Sequence, residues 1–220
     1  KKFIDLRPLI KLDSMKATMK TLSAILICCF ISTIQMYGEN IQRPESENYV
    51  KGVEALNEGN PEAAYTYLNA EINEHPDNGY AHCYMALICN FCNDTKLALK
   101  ALNSSLELIP EADTEYRSFA HYSRGVLLTN LKMWEHAEAD LNEAIRLNPE
   151  DVENYKSRAQ LYFETERYEE SLDDLTRALK LDSKADVNDL VLQLMAVAPT
   201  SEFMERITAT YQQLDQVTIH

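Results

Sequence analysis

The chain has 220 residues, 45% of them hydrophobic, with only 5 Gly and 7 Pro. That balance excludes a low-complexity or disordered chain and favours a packed one. The formal net charge of -14 repels phosphate, which excludes nucleic acid and anionic lipid surfaces as natural partners.

Residues 1–38 read as an address. Lys16 and Lys20 precede an apolar run from Leu22 to Ile34, and Gly38 stands before acidic Glu39. A positive flank, a short apolar core and a small residue before an acidic start predict a cleaved export signal. An uncleaved anchor over residues 21–37 is the alternative, although the run is short for a spanning helix. Cys28 and Cys29 lie inside the run without the small residue that lipid attachment wants before it. Lys1 is no start residue, so Met15 and Met19 are the candidate starts, and the chain reads as a fragment or as carrying an upstream extension. Residues 39–44 are a short linker. The body after residue 38 holds 15 basic and 33 acidic residues, so it is more acidic than the whole.

From residue 45 the sequence repeats itself. Pro76, Pro110 and Pro149 follow helical patterns at spacings of 34 and 39 residues. Aligning on them produces a small column (Gly52, Ala86, Gly125, Ala159) and a second one (Ala64, Ala98, Ala137, Ser171). A leucine column follows (Leu68, Leu102, Leu141, Leu175), then Glu71, Ser105, Ala144 and Ala178. Small side chains let two antiparallel helices approach, Leu fills the gap beside them, and Pro stops the second helix.

These columns resemble the tetratricopeptide repeat (TPR) family, whose period is about 34 residues. The stretch Ser118–Asp151 matches nearly every column. Units 45–78, 79–112, 118–151 and 152–185 follow, with Ser183 where the family prefers Pro and with Glu71 in a normally small, buried place. The resemblance implies an all-α fold, a right-handed α-solenoid of antiparallel helix pairs. Residues 113–117 are an insertion, read as one added turn on the following helix, with Asp113 able to cap it. Residues 186–220 are expected to form capping helices or the start of a divergent fifth unit, with Ser201 as a cap.

No glycine-rich phosphate loop or nucleophile elbow is present, so no enzymatic activity and no cofactor are expected. His75, His82, His121, His136 and His220 are scattered, and no metal is expected. Cys89 and Cys92 have the C-x-x-C spacing with Cys83 upstream. They read as core thiols, as a Cys89–Cys92 disulfide, or as the centre of a thiol-redox or metal protein. The TPR resemblance implies that first helices line a concave groove for a protein or peptide. Carried over position by position, the groove candidates are Tyr49, Tyr80, Asn90, Phe91, Tyr122, Val126, Asn130, Lys156 and Gln160. Lys156 is the one cation among them, a candidate partner for a ligand carboxylate. The expected function is an exported scaffold or adaptor, periplasmic or extracellular, touching membrane only through its N-terminal segment. A non-catalytic module of a larger enzyme or envelope complex is the alternative.

Overall fold

The computed structural model describes residues 41–197 and 200–217. The expected export signal at 1–38, and the alternative anchor at 21–37, lie outside them. The described residues contain ten α-helices and no strand: α1 (Glu47–Asn57), α2 (Pro61–Glu74), α3 (Gly79–Phe91), α4 (Thr95–Leu108), α5 (Thr114–Asn130), α6 (Trp134–Leu147), α7 (Val152–Glu164), α8 (Tyr168–Leu181), α9 (Asn188–Val197) and α10 (Ser201–Val217). None is long and apolar enough to cross a membrane.

Short polar side chains start several of these helices. Asn60 Oδ1 accepts the Ala63 N–H at 3.1 Å, Asp94 Oδ1 that of Leu97 at 3.1 Å, and Asp151 Oδ1 that of Glu153 at 3.0 Å. Each satisfies a backbone donor that the first helical turn leaves orphaned. Thr200, not Ser201, supplies this contact for α10, its Oγ1 accepting the Phe203 N–H at 3.1 Å.

The turn inside each of the first four helix pairs carries a residue with positive φ: Gly59 (70°), Asn93 (59°), Lys132 (59°) and Glu166 (61°). The next N–H then reaches back five residues, from Asn60 to Ala55 O (2.8 Å), Asp94 to Cys89 O (2.8 Å), Met133 to Leu128 O (2.9 Å) and Arg167 to Tyr162 O (2.8 Å). This is the Schellman closure of a helix C-terminus. It falls at one place in all four pairs, so backbone geometry repeats where the side chains do not. The inserted residues appear as a longer helix: α5 has 17 residues against 13 in α3 and 13 in α7.

The small columns work as close approaches. A Cβ at Gly52 would lie 2.7 Å from Leu68 Cγ, and one at Gly125 would lie 2.7 Å from Leu141 Cγ. Leu68, Leu102, Leu141 and Leu175 are all buried; removing such a side chain costs about 2–5 kcal/mol. Ser171, in the alanine column, is buried too, and its hydroxyl is satisfied by donating to Ala159 O at 2.8 Å.

Two compact units result, one ending at Asp113 and one beginning at Thr114. The first holds α1–α4 in two pairs. The second holds α5–α10. There, Val191 and Leu194 of α9 with Phe203 and Ile207 of α10 join Leu172 and Leu175 of α8 in one buried cluster. Arg206 of α10 also bonds Glu169 and Asp173 of α8. Leu192, Met195 and Val197 of α9 remain exposed.

Candidate functional site

In the first unit, two groove candidates are buried. Tyr49 is 7% exposed and Tyr80 5%. Tyr49 packs its ring against Tyr84 with centroids 6.1 Å apart. The Tyr80 hydroxyl donates to Asp113 Oδ2 at 2.9 Å, and Arg43 Nε and Nη2 donate to the same carboxylate at 3.0 and 3.1 Å. Asn90 is exposed, and Phe91, the last residue of α3, is half-buried.

In the second unit, Tyr122 is half-buried and stacks beside Phe119 at 6.4 Å. Burial pushes its phenol above the ordinary range, and the Glu153 carboxylate adds to the push while a hydrogen bond with Ser157 opposes it. Tyr122 of α5 is thus held against the N-terminal half of α7. Val126 is half-buried, and Asn130 is exposed at the end of α5.

Lys156 and Gln160 of α7 line a cleft of ≈ 180 Å³ together with Asp186, Asp189, Leu190 and Gln193 from the start of α9. One helical turn separates Lys156 from Gln160, so both project from one face of α7. Leu175 and Val187 also border the cleft. Lys156 Nζ is engaged by Glu153 Oε1 at 2.8 Å, and Gln160 Nε2 donates to Glu164 Oε1 at 2.9 Å. The α9 side of this cleft was not foreseen, because α9 departs from the column pattern that located the other first helices.

The three body cysteines are free thiols, as in the core-thiol reading, and the alternative of a Cys89–Cys92 disulfide is not formed. Cys89 is buried within α3, while Cys92 is the residue that ends it. Burial pushes the Cys83 thiol up to about 12 and the Cys89 thiol to about 11, and raises Cys92 as well. The thiolate is the nucleophile, so these shifts work against thiol chemistry. Among the described residues, no three His, Cys, Asp or Glu side chains gather to hold a metal ion.

A charged lattice runs through the second unit. Arg124 Nε and Nη2 grip both oxygens of Asp140 at 2.7 and 2.8 Å, with His121 Nδ1 2.8 Å from Oδ1. One repeat on, Arg158 Nε and Nη2 grip Asp174, both at 2.8 Å. Arg158 also donates to Asn142 Oδ1 at 2.6 Å. The Tyr162 ring lies 5.6 Å from the Arg158 guanidinium and 4.1 Å from that of Arg167, favourable cation–π arrangements. Its hydroxyl donates to Glu138 at 3.1 Å. An Arg followed sixteen residues later by an Asp, twice at the repeat spacing, was the available signal in the sequence.

The tetratricopeptide repeat family matches residues 120–151 and 153–184. A lipoprotein NlpI homolog of Haemophilus influenzae is 31% identical over 87 residues, covering 40% of this chain and 28% of its own length. Human tetratricopeptide repeat protein 6 is 24% identical over 143 residues, covering 65% of this chain and 26% of its own length. The chain therefore spans about a quarter of the length of these relatives. A MamA structure from Desulfovibrio magneticus RS-1 shares the fold with a TM-score of 0.62 at 19% identity, covering 77% of this chain and 94% of that one. The repeat spacing, the recurring turn and these likenesses agree: residues 120–151 and 153–184 match tetratricopeptide repeats, and the fold is an all-α solenoid of helical repeats.

Proposed function

We propose that the chain is an exported interaction scaffold that seats a segment of another protein on the first-helix faces of its repeats. The observation that carries this reading is the cleft where Lys156 and Gln160 meet α9. Such a concave, mixed apolar and polar surface is the kind of place where an extended chain finds both area and hydrogen bonds. Asn90 and Asn130, exposed at the ends of α3 and α5, extend the same role to their own units, since an amide can pair with both N–H and C=O of a bound backbone. Export is supported by the Lys-flanked apolar run at residues 22–34 and by similarity to the lipoprotein NlpI homolog. A second reading, a module within a longer protein, is favoured by the quarter-length match to the curated relatives.

The test is position-specific trapping. A photo-crosslinker at Gln160 or Gln193 should capture a defined peptide segment, and one at Lys180, exposed on α8, should not. Trapping at Lys180 with none at Gln160 or Gln193 would move the site to the other face. Fractionation of cells expressing the native N-terminus tests export, and full-length protein in the cytoplasm would refute it.

A further inference from the structure

We infer that the cleft between α7 and α9 takes a basic segment: a short extended stretch carrying Lys or Arg beside an apolar residue. This rests on the groove reading and names the chemistry of the occupant. Leu175, Val187 and Leu190 are buried and give the cleft an apolar floor. Asp186 and Asp189 stand exposed at its edge, and neither forms an ion pair or a side-chain hydrogen bond with a described residue. The one cation of the lining, Lys156, is already neutralised by Glu153 at 2.8 Å. The cleft thus offers two free carboxylates and no free ammonium, which reverses the expectation that Lys156 receives a ligand carboxylate.

Asp189 lies in the first turn of α9. There it also offsets the positive end of the helix, so that end offers little attraction to an anion. Gln193, exposed on the same helix, can both donate to and accept from a bound backbone. The wider body is acidic, and its long-range field draws a cationic segment in the same direction. An arginine or lysine stem would cover the leucine floor while its head meets the aspartates.

The experiment offers the full chain three immobilised sets of short synthetic peptides. The sets have matched apolar content and carry Lys, Glu or Gln at the variable positions. The Lys set should be retained, less so in high salt because these carboxylates are exposed. The double variant Asp186→Asn/Asp189→Asn should weaken retention by roughly two- to tenfold, as partly exposed ion pairs do. Lys156→Met frees Glu153 and should strengthen it; this variant carries the test if the double variant fails to give a helical spectrum. Retention of the Glu set, lost in Lys156→Met, overturns the charge assignment and leaves the groove reading standing. Retention of the Lys set unchanged in both variants overturns the location. Retention of no set, with no trapping at Gln160 or Gln193, overturns both readings.

Discussion

Asn78 Nδ2 donates to Glu71 Oε1 at 2.8 Å, while Oδ1 of the same amide accepts the Ala81 N–H at 3.0 Å. One side chain therefore ties α2 to the start of α3. Glu71 is 1% exposed, and its second oxygen has no hydrogen-bond partner. The column it occupies holds Ser105, Ala144 and Ala178 in the other pairs, so Glu71 is a departure that Asn78 accommodates.

Asn78→Ala should remove a cap and strand a buried carboxyl in one step, costing about 2–4 kcal/mol. Urea unfolding measures it. The double variant Asn78→Ala/Glu71→Ala should recover part of the loss, because the stranded group is gone; a double variant as unstable as the sum of the single variants would refute the coupling.

The recurring left-handed turn gives a second prediction. Lys132 and Glu166 hold positive φ and are exposed, so replacing them with Gly removes backbone strain without deleting a buried contact. The strain is about 1–2 kcal/mol and the entropic cost of Gly about 0.5–1 kcal/mol. Each substitution should raise the melting temperature by about 2–4 °C per kcal/mol gained in a chain of this size. Gly59→Ala, at the equivalent turn, should lower it.

The two Arg–Asp pairs should respond differently to acid. Burial works against the charge of Asp140, but its bonds to Arg124 and His121 outweigh this and hold it below the ordinary aspartate value. Its contribution is fully present above the ordinary value of about 3.9 and is lost as pH falls through the lower folded value. For Asp174, burial outweighs Arg158 and the carboxyl is raised. Stability linked to it therefore declines as pH rises from the ordinary value through the raised one. Asp140→Asn should cost about 2–3 kcal/mol at neutral pH, narrowing in strong acid, and Asp174→Asn should cost less. Equal penalties with the same pH dependence would contradict this assignment.

Thiol alkylation follows from burial. At pH 8 in native buffer, Cys92, half-buried at the end of α3, should react first. Cys83 and Cys89, with thiols pushed up to about 12 and about 11, should react only after unfolding. Mass spectrometry of a timed iodoacetamide reaction reads the order. Rapid native labelling of Cys83 would reopen the redox reading.

The fold was legible because close packing leaves a composition trace. Gly52 and Gly125 are small where Leu68 and Leu141 press against them, and that trace sits at fixed spacing. The turns were not legible, since Lys132 and Glu166 do what Gly59 does without being glycine, and the helix-closing bonds from Met133 to Leu128 O and from Arg167 to Tyr162 O leave no residue-type trace. The candidate site was legible only where register alone decides it. The register marks Tyr80 as a first-helix residue but cannot tell that its hydroxyl is taken by Asp113, a residue of the insertion. Nor could it give the charge of the cleft, which depends on Glu153 reaching Lys156 and on α9, where the columns fade.

The last prediction separates packing residues from groove residues. Tyr122 is half-buried in the second unit, and its ring stacks beside Phe119 at 6.4 Å. Tyr122→Ala should lose about 2–4 kcal/mol, since truncating a half-buried aromatic removes both contact area and filled volume. Tyr122→Phe keeps the ring and its packing, so it should lose less than Tyr122→Ala. Asn90 and Asn130 are exposed at helix ends, and Asn→Ala there should stay within about 0.5 kcal/mol of the parent. Thermal melts of the four variants give the contrast directly, and retention of the synthetic peptides reads the binding half. Asn130→Ala that melts like the parent and loses peptide places Asn130 in the groove; if it melts and binds like the parent, the groove ends short of α5 and its seat lies in the cleft on α7. A Tyr122→Ala variant that melts like the parent would mean that the ring is a surface group, and its half-buried contact with α7 would no longer explain why it is there.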